Sequence, residues 1–284
     1  MAEILKGAPV AAAITENVAA GVQSLKEKGI NTTLEVIRVG EDPSDLAYER
    51  GLLKRMEKCG IEVTLKVFPQ DVPGEELEKE IERVNSSGDI HGCLMFRPLK
   101  DKALEEKLCG LLDPAKDVDS MTKASLSSVF TGSKEGFPPC TAQAVTEILD
   151  HYGIEVSGKN AVVVGRSLVI GKPVAMMLLA KNATVTICHT KTKDLKETVK
   201  KADIVIAAAG KAEMLSGGCF SEGQTVIDVG INMTDAGLVG DVCFDDAEKV
   251  VSAITPVPGG VGSVTTAVLA KHVYEAAATA LEGK

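Results

Sequence analysis

Short apolar runs alternate along the chain with longer stretches whose apolar residues recur every three or four positions, the two periods that separate strands from amphipathic helices. In the first half this pattern predicts helices over 11–28, 44–58 and 75–85 and strands over 33–39, 62–68 and 92–96. Such alternation implies parallel strands joined by crossover helices, with both sheet faces covered and a site at the loops that leave the strand C-terminal ends. A Gly/Pro/Ser-rich passage over 127–139 separates this half from a helix over 142–152. Beyond it, β-branched runs predict strands over 161–164, 184–188, 204–207, 225–229 and 250–254, the outline of a nucleotide-binding sheet. An Ala-rich helical pattern over 264–281 follows the whole second sheet and is expected to return to the first domain. The fold class is therefore α/β with two domains, 1–140 plus about 265–284 forming one and 141–264 the other.

Length and composition agree with this division. A chain of 284 residues is long for one core and short for three. With 45% apolar and 25% charged residues it is an ordinary globular chain, which excludes disorder and a disulfide scaffold. A net charge of -9 gives no general attraction for a polyanion, so neither nucleic acid nor an anionic membrane is an expected partner. The 7 cysteines form no CxxC pair and the 4 histidines are not clustered, which argues against a metal site and for reduced cytosolic thiols. The N-terminus lacks the basic flank and continuous apolar core of a signal peptide, and no apolar run is long enough to span a membrane. A cytoplasmic protein is expected.

The chemistry begins at Gly165-Arg166-Ser167, which follows a buried strand pattern and leads through Gly171 into an apolar helix. There Gly165 makes the tight turn, amides at the helix start receive a pyrophosphate, and Gly171 permits close packing. The spacing is GxSxxxG and not GxGxxG, so an ordinary strand-to-helix turn is the competing reading. At the end of the next strand an NAD site usually carries an acid for the ribose 2′-hydroxyl. Here that stretch is Cys188-His189-Thr190-Lys191-Thr192-Lys193, and Arg166 can reach a 2′-phosphate, so NADP is favoured over NAD. Lys191 and Lys193, taken singly, read as a solvated loop.

In the order and spacing of several blocks the chain resembles the methylenetetrahydrofolate dehydrogenase/cyclohydrolase family. The blocks are Val39 through Ser44 leading to Tyr48, Asp117-Val118-Asp119, Pro139-Cys140-Thr141, the Gly165 loop, 184–189, Val226 through Asn232, Gly240-Asp241-Val242 and Thr255 through Gly262. The resemblance implies an N-terminal α/β folate-binding domain, a Rossmann-like NADP-binding domain, an active cleft between them and a homodimer. It also implies that Tyr48 and Asp119 serve the catalytic site and hold the folate, with Pro256, Gly259 and Gly260 as further substrate contacts. Gly165, Arg166, Ser167, Gly171, His189, Thr190 and Ile231 would then hold the NADP. Read bottom-up, Tyr48 could equally be a packed helix tyrosine, Asp119 a turn carboxylate and the glycine pair a plain turn.

Departures from the family pattern gather at one activity. The family carries a lysine four residues after the tyrosine, where this chain has Leu52, and a glutamine where this chain has Phe96. Lys54 lies six residues on, roughly 120° around the helix, and neither it nor Arg50 is a natural stand-in. Ser120 and Met121, Ala142 through Ala144, and Ser263 and Val264 are smaller departures. Hydride removal from methylenetetrahydrofolate requires alignment and no acid or base, whereas hydrolysis of the methenyl product requires a proton-transfer group. Leu52 cannot supply one, and the Phe96 side chain cannot hydrogen-bond. The expectation is an NADP-dependent dehydrogenase of one-carbon metabolism that has lost the cyclohydrolase step. A bifunctional enzyme, a catalytically silent folate- or NADP-binding protein, and a two-domain NADP enzyme for another small acid are the alternatives.

Overall fold

The computed structural model describes residues 1–133, 135–235 and 237–282. In chain order the strands are β1 (Glu3–Ile4), β2 (Thr33–Val39), β3 (Glu62–Phe68), β4 (Gly92–Met95), β5 (Asn160–Val164), β6 (Thr184–Cys188), β7 (Ile204–Ala207), β8 (Thr225–Asp228), β9 (Asn232–Thr234), β10 (Gly237–Val239) and β11 (Ala253–Ile254). The helices are α1 (Gly7–Glu27), α2 (Pro43–Cys59), α3 (Gly74–Ser86), α4 (Lys102–Leu111), α5 (Lys123–Thr131), α6 (Cys140–His151), α7 (Gly171–Ala180), α8 (Leu195–Lys200), α9 (Phe244–Ala247) and α10 (Thr265–Glu282). Two compact units divide the chain: Ala12–Cys140 with the stretch from Thr266 onward, and Met1–Ala11 with Thr141–Thr265.

The first unit is built on a three-stranded parallel sheet of order β3-β2-β4. Its central strand β2 is buried at every position from Leu34 to Arg38, so the two charged residues within it need partners on their own faces. Glu35 meets Arg83 of α3, and three residues later Arg38 meets Glu49 of α2 at 2.7 Å. Because successive strand residues point to opposite faces, these pairs assign α3 to one face and α2 to the other. Arg38 Nη1 also donates to the Gly40 carbonyl at the turn out of β2. Helix α2 starts where Asp42 accepts from the Ser44 amide at 2.8 Å and stops at Gly60, whose φ of 72° is left-handed. On α3, Leu77, Ile81 and Val84 share one face and are buried against the sheet core with Ile37 and Leu108.

The second unit carries a six-stranded parallel sheet, order β1-β11-β8-β7-β5-β6, and a small antiparallel pair, β9 with β10. Valines and isoleucines of β5, β7 and β8 are buried on both faces, as an interior parallel sheet demands. The structure corrects the expectation that residues 1–11 join the first domain. Glu3 and Ile4 pair with Ala253 and Ile254, the Leu5 amide donates to the Ile254 carbonyl at 2.8 Å, and Leu5 is fully buried in this unit. The strand expected over 250–254 shrinks to β11, because the amides of Val250 and Val251 both turn back to the Ala247 carbonyl. The passage expected to break the chain from 127 onward is helical as far as Thr131, capped by Thr122, whose hydroxyl accepts from Ser125 N at 3.0 Å. Helix α4 and strand β1 lie outside the expected elements.

The Arg38 and Glu49 pair sets up a measurable coupling. Arg38→Met alone leaves a buried carboxylate unpaired and is expected to cost about 3 kcal/mol, whereas Arg38→Met with Glu49→Leu recovers most of that loss. Denaturant unfolding of both variants and of Glu49→Leu alone checks it; a double-variant loss equal to the sum of the two single losses would show that the pair contributes no coupling.

Candidate active site

In the second unit the loops that follow the strands carry the predicted dinucleotide residues. Gly165 follows β5 with a φ of 136°, and a Cβ there would lie 2.0 Å from the Ala208 carbonyl oxygen, so only glycine fits. Gly171 opens α7 with its Cα so close to Gly165 that a Cβ would meet the Gly165 oxygen at 2.4 Å. The Ser167 hydroxyl accepts from the amides of Ile170 at 3.1 Å and Gly171 at 3.4 Å. Two of the helix-start amides expected to receive a pyrophosphate are thus already engaged, and the exposed stretch from Arg166 to Val169 presents the loop to solvent. At the end of β6, His189 Nδ1 accepts from the Lys191 amide at 3.1 Å and the His189 amide donates to Thr192 Oγ1 at 2.8 Å. This tight turn leaves Thr190 exposed and places no carboxylate at its tip, which suits a 2′-phosphate. The loop chemistry and the close glycine approach therefore fit NADP.

Ile231, Pro256, Gly259 and Gly260 come together around one pocket of about 230 Å³. Gly259 has a φ of 101°, and a Cβ on Gly260 would lie 2.4 Å from the Pro256 oxygen, which forces the glycine pair. Ile231 is 64% exposed at this pocket. Two buried carboxylates that had no assigned role hold its walls. Asp228 accepts from the amides of Gly230, Asp241 and Val242 at 2.9 to 3.0 Å, while its own amide donates to Thr255 Oγ1 at 2.7 Å. Asp241 accepts from the amides of Ala209, Gly210 and Lys211 and from Asn232 Nδ2, tying the loops after β7 and β8 together. Burial pushes the Asp228 carboxyl up to about 6 against the lowering effect of its three amide donors.

In the first unit, Tyr48 on α2 meets Phe96, just past β4, edge to face at 5.9 Å. Tyr48 leaves 37% of its surface exposed. Burial first, then the charges of Asp119 and Cys140, hold the phenol well above its ordinary value of 10.0. Asp119 is itself enclosed at its carboxyl, which burial pushes upward while the Cys140 amide, donating to Oδ1 at 2.9 Å, and the nearby Arg97 charge pull it down. Tyr48, Phe96 and Asp119 thus share one electrostatic neighbourhood. Leu52 is fully buried on the sheet-facing stripe of α2 with Glu49 and Met56, whereas Arg50 and Lys54 point to solvent. The sequence assigned no role to Arg97 and quoted Cys140 only within a block, although both lie at Asp119; a charged residue in an apolar loop was the available signal for Arg97.

Among the described residues no group of three or more His, Cys, Asp or Glu could hold a metal ion, and no helix is long and apolar enough to cross a membrane.

The chain matches two family models, the catalytic domain of tetrahydrofolate dehydrogenase/cyclohydrolase over residues 5–119 and the NAD(P)-binding domain of the same enzymes over residues 139–281. It is 50% identical over 279 residues to the bifunctional protein FolD of Carboxydothermus hydrogenoformans, covering 97% of each chain. The crystal structure of the bifunctional FolD from Campylobacter jejuni superimposes with a TM-score of 0.94 at 37% identity, over 98% of this chain and 99% of that one. The Trypanosoma brucei enzyme, solved with NADP cofactor and inhibitor, superimposes with a TM-score of 0.91 at 34% identity, over 99% and 98%.

The Asp228 carboxyl is expected to titrate with a midpoint of about 6 in a carbon-detected NMR experiment. Since the folded chain then holds this proton more tightly than the unfolded chain, the associated stability is complete below about pH 4 and is lost as pH rises through about 6. Asp228→Asn should remove that slope; a midpoint at or below 3.8 would show that the amide donors outweigh burial.

Proposed function

The chain belongs to the tetrahydrofolate dehydrogenase/cyclohydrolase family, and on that premise we propose that it oxidises 5,10-methylenetetrahydrofolate to the methenyl compound with NADP without hydrolysing the product. When bound, NADP accepts the hydride from the bridging methylene carbon; the residues of the chain bind and orient. Gly165, Gly171 and the exposed loop between them admit the pyrophosphate, with Ser167 fixing the loop. Arg166 and Thr190 offer donors to the 2′-phosphate beside His189, and Ile231 lines the nicotinamide side of the cofactor site. Asp119 holds the pterin by its carboxyl and Tyr48 lines the same pocket, while Pro256, Gly259 and Gly260 bring backbone close to the ligands. A homodimer, on the strength of the resemblance, and cytoplasmic action, on that of the cysteine usage, complete the reading.

The observation that carries the loss of hydrolysis is the fully buried Leu52 one helical turn past Tyr48, with Phe96 packed on the tyrosine ring. No proton-transfer group stands at either position. A second reading, a bifunctional enzyme, is favoured by the 50% identity to a bifunctional FolD protein. It requires a substitute acid or base, for which Lys54 and Arg50 are exposed and turned from the sheet-facing stripe.

Purified protein mixed with methylenetetrahydrofolate and NADP is expected to form NADPH and methenyltetrahydrofolate in equal amounts, followed separately by absorbance. Loss of a general acid or base commonly costs a factor of about a hundred to ten thousand, so decay of the methenyl compound should stay near the rate in buffer. Fast decay that disappears in Lys54→Ala would restore the bifunctional reading, and no NADPH at saturating substrates would leave a binding protein. Arg166→Ala should weaken NADP by about 2 kcal/mol while leaving NAD unchanged, as expected for a lost charge-assisted bond; equal weakening of both nucleotides gives Arg166 another role.

A further inference from the structure

His272 lies on α10, is fully buried, and sits in none of the motifs discussed above. Its Nδ1 lies 2.8 Å from the Val118 carbonyl oxygen. A carbonyl only accepts, so Nδ1 carries the proton and donates it. Cys140 Sγ donates to the same oxygen at 3.3 Å and stands 3.6 Å from Nδ1, so imidazole and thiol flank a single acceptor. Phe137 stacks on the imidazole with ring centroids 4.9 Å apart and planes 28° from parallel, which sets the ring's orientation. The residue after Val118 is Asp119, and its Oδ1 accepts from the amide of the same Cys140. On the other side, Asp117 is pinned by the amides of Met121 and Thr122, each at 2.8 Å, and Ser120 is held at a φ of 57° with its buried hydroxyl unpartnered. A turn with a strained residue next to a ligand-facing carboxylate keeps its shape only if its surroundings over-determine it.

We propose that His272 is a positioning residue for the folate site: by holding the Val118 carbonyl it fixes the peptide plane from which Asp119 presents its carboxylate to the pterin. The inference rests on the folate reading above. It assigns to the C-terminal helix a part in substrate binding that the strand-end loops do not supply. The imidazole contributes a donor at the δ position and a ring for Phe137 to cover, and these two contributions are separable by substitution. Asparagine carries an N–H donor close to where Nδ1 lies, whereas phenylalanine keeps the stacked ring and has no donor.

His272→Phe is therefore expected to raise KM for methylenetetrahydrofolate and the dissociation constant for tetrahydrofolate by about tenfold, the loss of one well-formed hydrogen bond. KM for NADP should stay within about twofold. His272→Asn should restore folate affinity to near the wild-type value even if its melting temperature falls, which a packing role alone would not do. Should His272→Phe not fold, His272→Gln, with its donor moved out to the ε position, takes its place with the same expected loss. Equal folate affinity in the Asn and Phe variants, or a parallel shift of folate and NADP, overturns the assignment. Wild-type protein that neither binds tetrahydrofolate nor turns over its methylene form sinks the functional reading instead, whereas binding that survives unchanged in His272→Phe sinks only this inference.

Discussion

A parallel strand cannot hand the chain to its neighbour through a tight turn; the backbone must first travel back to the end where it began, usually through a helix. In both units this constraint gathers every loop that leaves a strand at one end of its sheet. In the second unit the Gly165, His189, Ile231 and Gly259 segments all follow strands, and in the first unit Phe96 follows β4 while Tyr48 lies on the helix after β2. The candidate chemistry sits where the topology leaves backbone free of ladder hydrogen bonds. The open ends of the strands thus decide which residues are available for ligands, and the buried strands themselves decide only where those ends lie.

Loops placed in this way still need to be held, and this protein holds them with buried carboxylates. Asp228 and Asp241 accept main-chain amides from three separate segments, so charge-assisted bonds help to fix the walls of the pocket at Gly259 and Gly260. Asp117 does the same for the turn that carries Asp119. On β2, Glu35 and Arg38 place charges inside the sheet and match each to one helix. Such pairs cost desolvation, and their value lies in which helix, register and loop they permit.

Strands with β-branched runs, such as 33–39, 62–68 and 184–188, were legible because their signal is local and continuous. The glycine turns were legible for the same reason. Helix α4 was not, because its start depends on Asp101 capping the amides of Ala103 and Leu104, a detail overshadowed by the surrounding charges. Strand β1 is only two residues long and exists through its pairing with a segment near the other end of the chain. The partnership of Arg38 with Glu49, and of His272 with Val118 across 154 positions, leaves no periodic trace. Leu52 shows the opposite case: its apolar character was visible from sequence, and the structure adds that it faces the sheet, fully buried.

Since Glu3 pairs with Ala253, and the helix from Thr265 belongs almost wholly with residues 12–140, each unit draws on both early and late parts of the chain. During synthesis the first strand must wait for β11, and residues 12–140 must wait for the helix that completes their unit until Thr265–Glu282 has been made. Long-range closure of this kind slows folding and prolongs the time for which apolar strands stand open. It also means that a break between 140 and 141 yields no self-sufficient half: one fragment carries a strand without its sheet and lacks its final helix, and the other carries that helix in place of its missing edge strand.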